Sequence, residues 1–153
     1  MTPKPLIIGE APGKHGDPRT PIEGRIGARL AEWCGLPFDE FLTTFQRINL
    51  LEVQPQDSGK GTDFNVRAAG KVARAMQYLF EPGQVVIVLG KRAGAAFGFT
   101  NIEYFQKATL NGAAVYVVPH PSGVNRWFNE PENELTMIRF MRGIVKQIQV
   151  AGV

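Results

Sequence analysis

The chain has 153 residues, 44% of them hydrophobic and 20% charged, which are the proportions of a globular protein, and we predict one domain over residues 1–153. No apolar run approaches the roughly 18 residues of a membrane span, and a single cysteine, Cys34, excludes an internal disulfide and argues against a cysteine-based zinc or iron–sulfur site. We therefore expect a soluble monomer of a reducing cytoplasm, whose net charge of +3 permits a polyanionic partner without establishing one.

The first two predicted strands lie in the segments "PLIIGEAPG" and "FQRINLLEVQP", residues 5–13 and 45–55. Both runs are continuously apolar rather than alternating, which is typical of strands buried on both faces. Between them we predict a helix that carries Ile26, Leu30 and Trp33 on one face and ends at Gly35. A long irregular connection, residues 52–65, follows the second strand.

The second half of the chain repeats this alternation. A helical stripe comprises Val66, Ala69, Val72, Ala73, Met76, Leu79 and Phe80. A third strand in "QVVIVLGKRAG" leads into a short helix after Gly90, and a fourth strand lies in "AVYVVPHPSG". The last predicted helix has Leu135, Ile138, Met141, Val145 and Ile148 on one side and leaves Arg139, Arg142 and Lys146 largely for solvent.

Strands that alternate with helices predict an α/β fold, here a three-layer domain with a central, mainly parallel four-stranded sheet flanked by helices. In open parallel sheets, binding sites form outside the carboxyl ends of the strands. The segments "GEAPG", Asn49, "GKR" and "PHPSG" each follow a predicted strand. We therefore expect all four to gather at one edge of the sheet.

Three polar residues at this edge are candidates for chemistry, and each has a purely structural alternative. Glu10 follows the first strand and either belongs to a site or caps nearby backbone N–H groups. Asn49 lies in an otherwise apolar strand, so its amide either hydrogen-bonds the neighbouring backbone or offers a donor and an acceptor to a nucleobase edge. His120 is held between Pro119 and Pro121, and this rigid placement favours a functional role.

The segment after His120 has features suited to nucleic acid. Ser122 and the backbone of Gly123 could bind a phosphate, and residues 124–128 supply an apolar wedge, a cation and two aromatic rings. The alternative is that Trp127 and Phe128 simply anchor the last helix. Neither phosphate-binding glycine fingerprint is present, which makes a nucleotide-cofactor function a weak hypothesis.

Taken together, "GEAPG", the strand-borne Asn49, "VIVLGKRAGAAFG" and "PHPSGVN" resemble the uracil-DNA glycosylase superfamily, particularly the branch whose first motif reads G-E-x-P-G. The motifs occur in the expected order over most of the chain. The resemblance implies a single α/β domain that binds DNA, flips a base out of it and hydrolyses the N-glycosidic bond without a cofactor for the chemistry.

The resemblance also implies roles by position. Glu10 would orient or activate water, and His120 would stabilise the charge that develops on the departing base. Asn49 would read the pyrimidine edge. Ala11 and Ile22 fall at further base-binding positions. Asp17 is the nearest candidate for an acidic catalytic residue that the family carries shortly after the first motif.

DNA contacts follow from the same resemblance. Val124 matches the residue that wedges into the duplex. The residues that we expect to contact DNA are Gly13, Lys14, Lys91, Ser122, Gly123, Val124, Asn125 and Arg126.

The chain departs from the family pattern at positions that bear on catalysis and substrate. Ala11 stands where the best-known branch has a catalytic aspartate. Ile22, in "TPIEG", stands where the G-E-x-P-G branch has an aromatic that stacks on uracil. That branch also binds an iron–sulfur cluster through four cysteines, and we predict no cluster, no other metal and no cofactor here, because Cys34 is the single cysteine.

The sequence thus predicts a monofunctional DNA glycosylase that removes uracil or another deaminated or modified base, in a bacterial or viral cytoplasm. The alternative from another class is a catalytically weak or inactive DNA-binding protein of the same fold, which recognises an unusual base or blocks another enzyme. Ala11 and Ile22 motivate that alternative. A third hypothesis, a small-molecule nucleotide-binding enzyme, rests on the α/β pattern alone.

Overall fold

The computed structural model describes residues 3–12, 19–51, 66–123 and 125–151. Its elements in chain order are β1 (Leu6–Gly9), α1 (Arg25–Cys34), α2 (Phe38–Thr44), β2 (Gln46–Asn49), α3 (Val66–Met76), a 3-10 turn (Gln77–Leu79), β3 (Val85–Leu89), α4 (Lys91–Ala96), β4 (Lys107–Leu110), β5 (Ala113–Val118), a second 3-10 turn (Arg126–Asn129) and α5 (Pro131–Ala151). Four predicted site residues, Gly13, Lys14, Asp17 and Val124, and the connection over residues 52–65 lie outside the described residues.

The described strands form one five-stranded sheet in the order β2-β1-β3-β5-β4. β1 is parallel to both β2 and β3, and β3 is parallel to β5, whereas β4 is antiparallel to β5. The predicted α/β fold with a mainly parallel sheet is confirmed. Its count of four strands is wrong, because β4 adds a fifth strand at the edge.

The missed strand is half of a hairpin. Asn111 and Gly112 join β4 to β5 with φ angles of 49° and 82°. Positive φ at two successive residues is typical of the tight turns that connect antiparallel strands, and an Asn-Gly pair is the strongest sequence signal for such a turn. Residues along β4 alternate between exposed and half-buried, so the strand lacks the continuous apolar run by which the other strands are recognised.

The sheet is covered on both faces. Ile7 and Ile87 lie in a core with buried side chains of α1, α2 and α5. Ile8 and Val88, whose side chains point the other way, lie in a second core with buried side chains of α3 and α4. The structure therefore has the predicted three layers, with helices packed on each side of the sheet.

The predicted helices are all present, and a few residues predicted to be on their buried faces are exposed. α1 ends at Gly35, whose φ of 71° is the left-handed conformation expected of a glycine stop. The helix α2 was not predicted, and of its residues only Phe41 is buried. The predicted stripe of α3 is wrong at Val66 and Leu79, which are 61% and 79% exposed. On α5, Met137 is buried, whereas the predicted Leu135 is 49% exposed. No described helix is long and apolar enough to cross a membrane.

Hydrogen bonds between the strand ends bring the following loops together. In the β1–β2 pair, Gly9 is in register with Asn49, and beyond it the Leu50 N–H donates to the Gly9 carbonyl at 2.9 Å. On the other side of β1, the Gly90 N–H at the end of β3 donates to the Val118 carbonyl of β5 at 2.8 Å. The carboxyl ends of β1, β2, β3 and β5 are therefore fixed side by side.

Candidate active site

A cavity of about 770 Å³ lies at this edge of the sheet. Its walls come from residues 9–12 after β1, residues 20–26 before and at the start of α1, Asn49, Leu89 and His120. Glu10, Asn49 and His120, which are far apart in the sequence, therefore line one cleft. Ala11 and Ile22 line it as well, while Lys91 is not among the described lining residues.

The Glu10 carboxylate is paired with Arg92 of α4. Arg92 Nε donates to Glu10 Oε2 at 3.1 Å, and Arg92 Nη2 donates to Glu10 Oε1 at 2.9 Å. This two-point contact of a guanidinium with a carboxylate fixes the plane of the carboxylate as well as its position. The Glu10 side chain is only 13% exposed, whereas that of Arg92 is 51% exposed, so the arginine approaches the acid from the solvent side.

His120 lies beside this ion pair, with its Nε2 4.0 Å from Glu10 Oε1. Its Nδ1 accepts a hydrogen bond from the Ser122 backbone N–H at 3.2 Å. Because Nδ1 is an acceptor, the neutral imidazole carries its proton on Nε2, the nitrogen that faces the carboxylate. Burial lowers the pKa of His120 below its usual range, the Glu10 carboxylate works against that shift by raising the pKa, and Arg92 adds to the lowering. His120 is therefore neutral near pH 7.

The loop that carries His120 is fastened by side chains on both sides. Asn125 Nδ2 donates to the His120 carbonyl at 2.8 Å, and Asn125 Oδ1 accepts from the Trp127 N–H at 3.1 Å. From α1, Arg29 Nη1 donates to the carbonyls of Pro121 and Ser122 at 2.8 and 3.3 Å. These contacts fix the backbone of the histidine loop against α1 and the second 3-10 turn.

The Asn49 side chain occupies a position that glycine makes possible. A Cβ built on Gly9, its neighbour across the β1–β2 pair, would overlap Asn49 Oδ1. In the described part of the chain, the Asn49 amide makes no side-chain hydrogen bond, and it is half-buried at the cleft wall. The alternative in which it clamps neighbouring backbone therefore has no support among the described residues, and its donor and acceptor are available to a ligand.

Ile22 also lines the cleft and has a φ of 59°. Positive φ is uncommon for any residue with a side chain and costs most for a β-branched one, so neighbouring contacts must hold it there. Gly27 of α1 approaches its backbone so closely that a Cβ on Gly27 would overlap the Ile22 carbonyl oxygen. Arg47 Nη1 donates to the Pro21 carbonyl at 3.3 Å and pairs with Glu23 Oε1 at 3.4 Å. An aliphatic side chain is thereby held against the cleft.

The two aromatics after the histidine loop are largely committed to packing. The Phe128 ring stacks on Trp33 with centroids 5.0 Å apart, and Trp127 meets Tyr104 edge to face at 5.8 Å. Both residues are half-buried. This arrangement supports the alternative in which Trp127 and Phe128 anchor the polypeptide before α5, rather than an exposed stacking platform for bases.

The predicted DNA-contact residues that the structure describes are distributed around the cleft. Gly123 and Arg126 are exposed beside the histidine loop, and Ser122 and Asn125 are half-buried in it. Lys91 is exposed at the start of α4, with its Nζ 5.1 Å from the centroid of the Tyr104 ring. These positions leave their role in DNA binding a prediction.

Three arginines near the cleft were not among the predicted site residues. Arg92 fixes Glu10, and Arg29 fixes the histidine loop. Arg47 fixes the segment around Ile22. Arg92 had a usable signal, because it follows β3 at the same sheet edge in the segment "GKRAG". Arg29 and Arg47 lie within a helix and a strand, and nothing in the local sequence distinguishes them from surface arginines.

Among the described residues, no group of three or more histidine, cysteine, aspartate or glutamate side chains is placed to hold a metal ion. The family model of the uracil DNA glycosylase superfamily matches residues 1–142 of the chain. No curated protein sequence matches it.

Proposed function

The chain belongs to the uracil DNA glycosylase superfamily, and we propose that it is a monofunctional DNA glycosylase that removes uracil or another deaminated or modified base. Membership supports a DNA glycosylase-type function in general. The observation that carries the finer proposal is that Glu10, Asn49 and the neutral His120 line a single cleft at the carboxyl edge of the sheet. A base inside a duplex is out of reach, so the target nucleotide flips into the cleft.

Asn49 reads the base in this proposal. Its side-chain amide presents an acceptor and a donor side by side, which complements the adjacent N–H and carbonyl groups on the edge of a uracil. Because the amide makes no hydrogen bond to other described residues, it meets the base without first breaking an internal contact. Ile22 contributes an aliphatic surface to the same pocket.

His120 stabilises the leaving group. When the bond between C1′ of the sugar and the base nitrogen breaks, the bonding electrons leave with the base, which becomes anionic. The neutral imidazole places an N–H donor at Nε2, because its Nδ1 is occupied by the Ser122 N–H. One preorganised donor of this kind contributes about 3 to 4 kcal/mol to lowering the barrier.

Glu10 acts on the sugar side of the reaction. Its carboxylate stabilises the positive charge of the oxocarbenium-like sugar and accepts a hydrogen bond from the water whose oxygen then bonds to C1′. That water loses a proton to solvent, and the anionic base takes up a proton from solvent as it leaves. Each carboxylate oxygen already accepts from Arg92 but keeps a second lone pair for water. Hydrolysis is favoured over lyase chemistry because none of the described residues that line the cleft is a lysine.

The test is incubation of the protein with an oligonucleotide that carries one uracil, alongside the same sequence with cytosine or thymine. We expect free uracil to be released and the strand to break only after alkali treatment, which cleaves abasic sites. Strand cleavage without alkali would contradict the monofunctional assignment. Tight, base-dependent binding without release would instead favour a non-catalytic DNA-binding protein of the same fold.

A further inference from the structure

We propose that Arg92 is a positioning residue of the active site, which holds the Glu10 carboxylate away from His120 and so preserves the neutral histidine donor. This inference rests on the proposed function. It differs from the roles that the sequence motifs imply, because Arg92 lies in α4 and acts through Glu10 and His120 rather than on the base or the sugar.

Arg92 does not line the cleft but forms an ion pair with Glu10, which does. Both carboxylate oxygens of Glu10 accept from its guanidinium, at 2.9 and 3.1 Å, while the nearest nitrogen of His120 is 4.0 Å from one of them. The carboxylate of Glu10 therefore lies near two groups that can carry positive charge, Arg92 and His120, and its hydrogen bonds go to Arg92. A two-point contact is directional, so it holds the carboxylate plane in one orientation.

The start of α4 lies close to Glu10 and His120, so the backbone that carries Arg92 is held near both residues. Gly90 has a φ of 95°, and a Cβ at this position would lie 3.4 Å from His120 Cβ and 3.5 Å from Glu10 Oε2. The positive φ would strain any side chain at this position, and the added carbon would stand in van der Waals contact with His120 and Glu10. The close approach of the helix start to Glu10 and His120 thus sets the separation between the three charged or titratable groups.

Removal of the guanidinium would leave the carboxylate with His120 as its nearest cationic partner. An imidazolium paired with Glu10 would be favoured over the neutral ring, and the carboxylate would no longer be held for water. In the part of the chain that the structure describes, the charged groups that act on the pKa of His120 are Glu10, on the loop after β1, which raises it, and Arg92, on α4, which lowers it. On the α1 side, Arg29 is bonded to the carbonyls of the same loop.

The test needs no substrate. The titration of His120 is followed by NMR in the wild type, Arg92→Gln and Arg92→Lys, with His15→Gln used to assign the signal of the chain's other histidine. We expect the pKa of His120 to be higher in Arg92→Gln than in the wild type and to lie between the two in Arg92→Lys, which keeps the charge but loses the two-point contact. Arg139→Gln, the same chemical change on an exposed position of α5, should leave the titration unchanged.

A second readout ties the inference to activity. In single-turnover base release, Arg92→Gln should be slower by roughly ten- to a hundredfold, the order expected when a reacting group is misplaced, and the loss should be larger at pH 6 than at pH 8. An unchanged His120 titration, or a loss of rate that is the same at both pH values, would overturn the inference. If the wild type released no base from any DNA, the proposed function would fail, while the NMR titration would still decide whether Arg92 controls His120.

Discussion

Gly9 and Asn49 lie side by side in the β1–β2 register, and the volume that a side chain on Gly9 would need is filled by the Asn49 amide. The position of the Asn49 side chain therefore depends on the glycine of the first motif. The absence of a side chain at position 9 allows the amide to reach the cleft wall, where its hydrogen-bonding groups remain available.

Gly9→Ala should displace the Asn49 side chain. The added methyl group would overlap Asn49 Oδ1 and would lie 3.4 Å from the Ile22 side chain, so we expect an overpacking cost of about 1 to 3 kcal/mol and a weaker preference among bases. Urea unfolding and base release from a panel of oligonucleotides measure the two effects. Gly143→Ala, in open space on α5, is the matched control and should stabilise the protein by about 0.5 to 1 kcal/mol. Unaltered base preference in Gly9→Ala would refute the coupling to Asn49.

Asn49→Asp should change which base is released. The carboxylate keeps acceptors but loses the amide donor, so recognition of a base that pairs with both groups should weaken by about 1 to 3 kcal/mol, which corresponds to a rate lower by about five- to 150-fold. The measurement is single-turnover release from each lesion in turn. Asn101→Asp makes the same chemical change at an exposed position outside the cleft and should have little effect. Equal preference in Asn49→Asp and the wild type would show that this residue does not read the base.

Arg29→Ala should loosen the histidine loop. It removes the hydrogen bonds to the carbonyls of Pro121 and Ser122 and the contact of the guanidinium with the Trp33 ring, which lies 4.6 Å away. We expect a loss of about 1 to 3 kcal/mol in the free energy of unfolding and slower base release, since His120 follows the loop. Arg139→Ala is the control for the loss of charge. A rate that stays at the wild-type level despite reduced stability would mean that the loop keeps its position without Arg29.

The pH dependence of stability and of base release follows from the lowered pKa of His120. Its folded-state pKa lies below the unfolded value of about 6.5, so the unfolded chain binds more protons in the interval between them. The contribution of His120 to stability is thus fully present above about pH 6.5 and is lost as the pH falls through the folded-state pKa. Base release should decline at lower pH than this, as the pH falls through the folded-state pKa, because the donor in our mechanism is the neutral imidazole of the folded protein.

Urea unfolding between pH 5 and 8 checks the stability half of this prediction. The dependence on pH should be shallower in His120→Gln than in the wild type, and His15→Gln serves as the control with the other histidine removed. If the free energy of unfolding changed with pH equally in His120→Gln and the wild type, protonation of His120 would not be coupled to folding.

Much of the fold could be predicted because the sequence of a buried parallel strand is a continuous apolar run. The runs around Ile7, Ile87 and Val117 are buried strands. The run around Ile48 is also a strand, but its predicted burial on both faces is wrong, because β2 lies at the sheet edge and Ile48 is 39% exposed. β4 was missed because its own residues form no continuous apolar run, and its signal lay in the Asn111–Gly112 turn that follows it. On α5, four of the five residues predicted to share the buried face pack in or against the core, and only Leu135 is misplaced, at 49% exposed.

The candidate site was predictable where chemistry and strand ends coincide. Glu10, Asn49 and His120 are polar residues that directly follow or end strands, so the sheet topology brings them together. Of the arginines around the site, Arg92 had a signal because it follows a strand at the same sheet edge, whereas Arg29 and Arg47 had none, since they act through tertiary contacts with residues far away in the sequence. The left-handed conformation of Ile22 also has no sequence signal, because it depends on the close approach of Gly27.

The central claim is tested most directly by single-turnover release of free base from oligonucleotides that carry uracil, hypoxanthine, xanthine, hydroxymethyluracil or only normal bases. The wild type is compared with Glu10→Gln and His120→Gln, with Arg139→Gln as the control. We predict release of at least one altered base by the wild type and the control, with a loss of roughly a hundredfold or more in each active-site variant. No release of any base by a wild-type protein that still binds the DNA would contradict the assignment of this cleft to glycosidic bond hydrolysis.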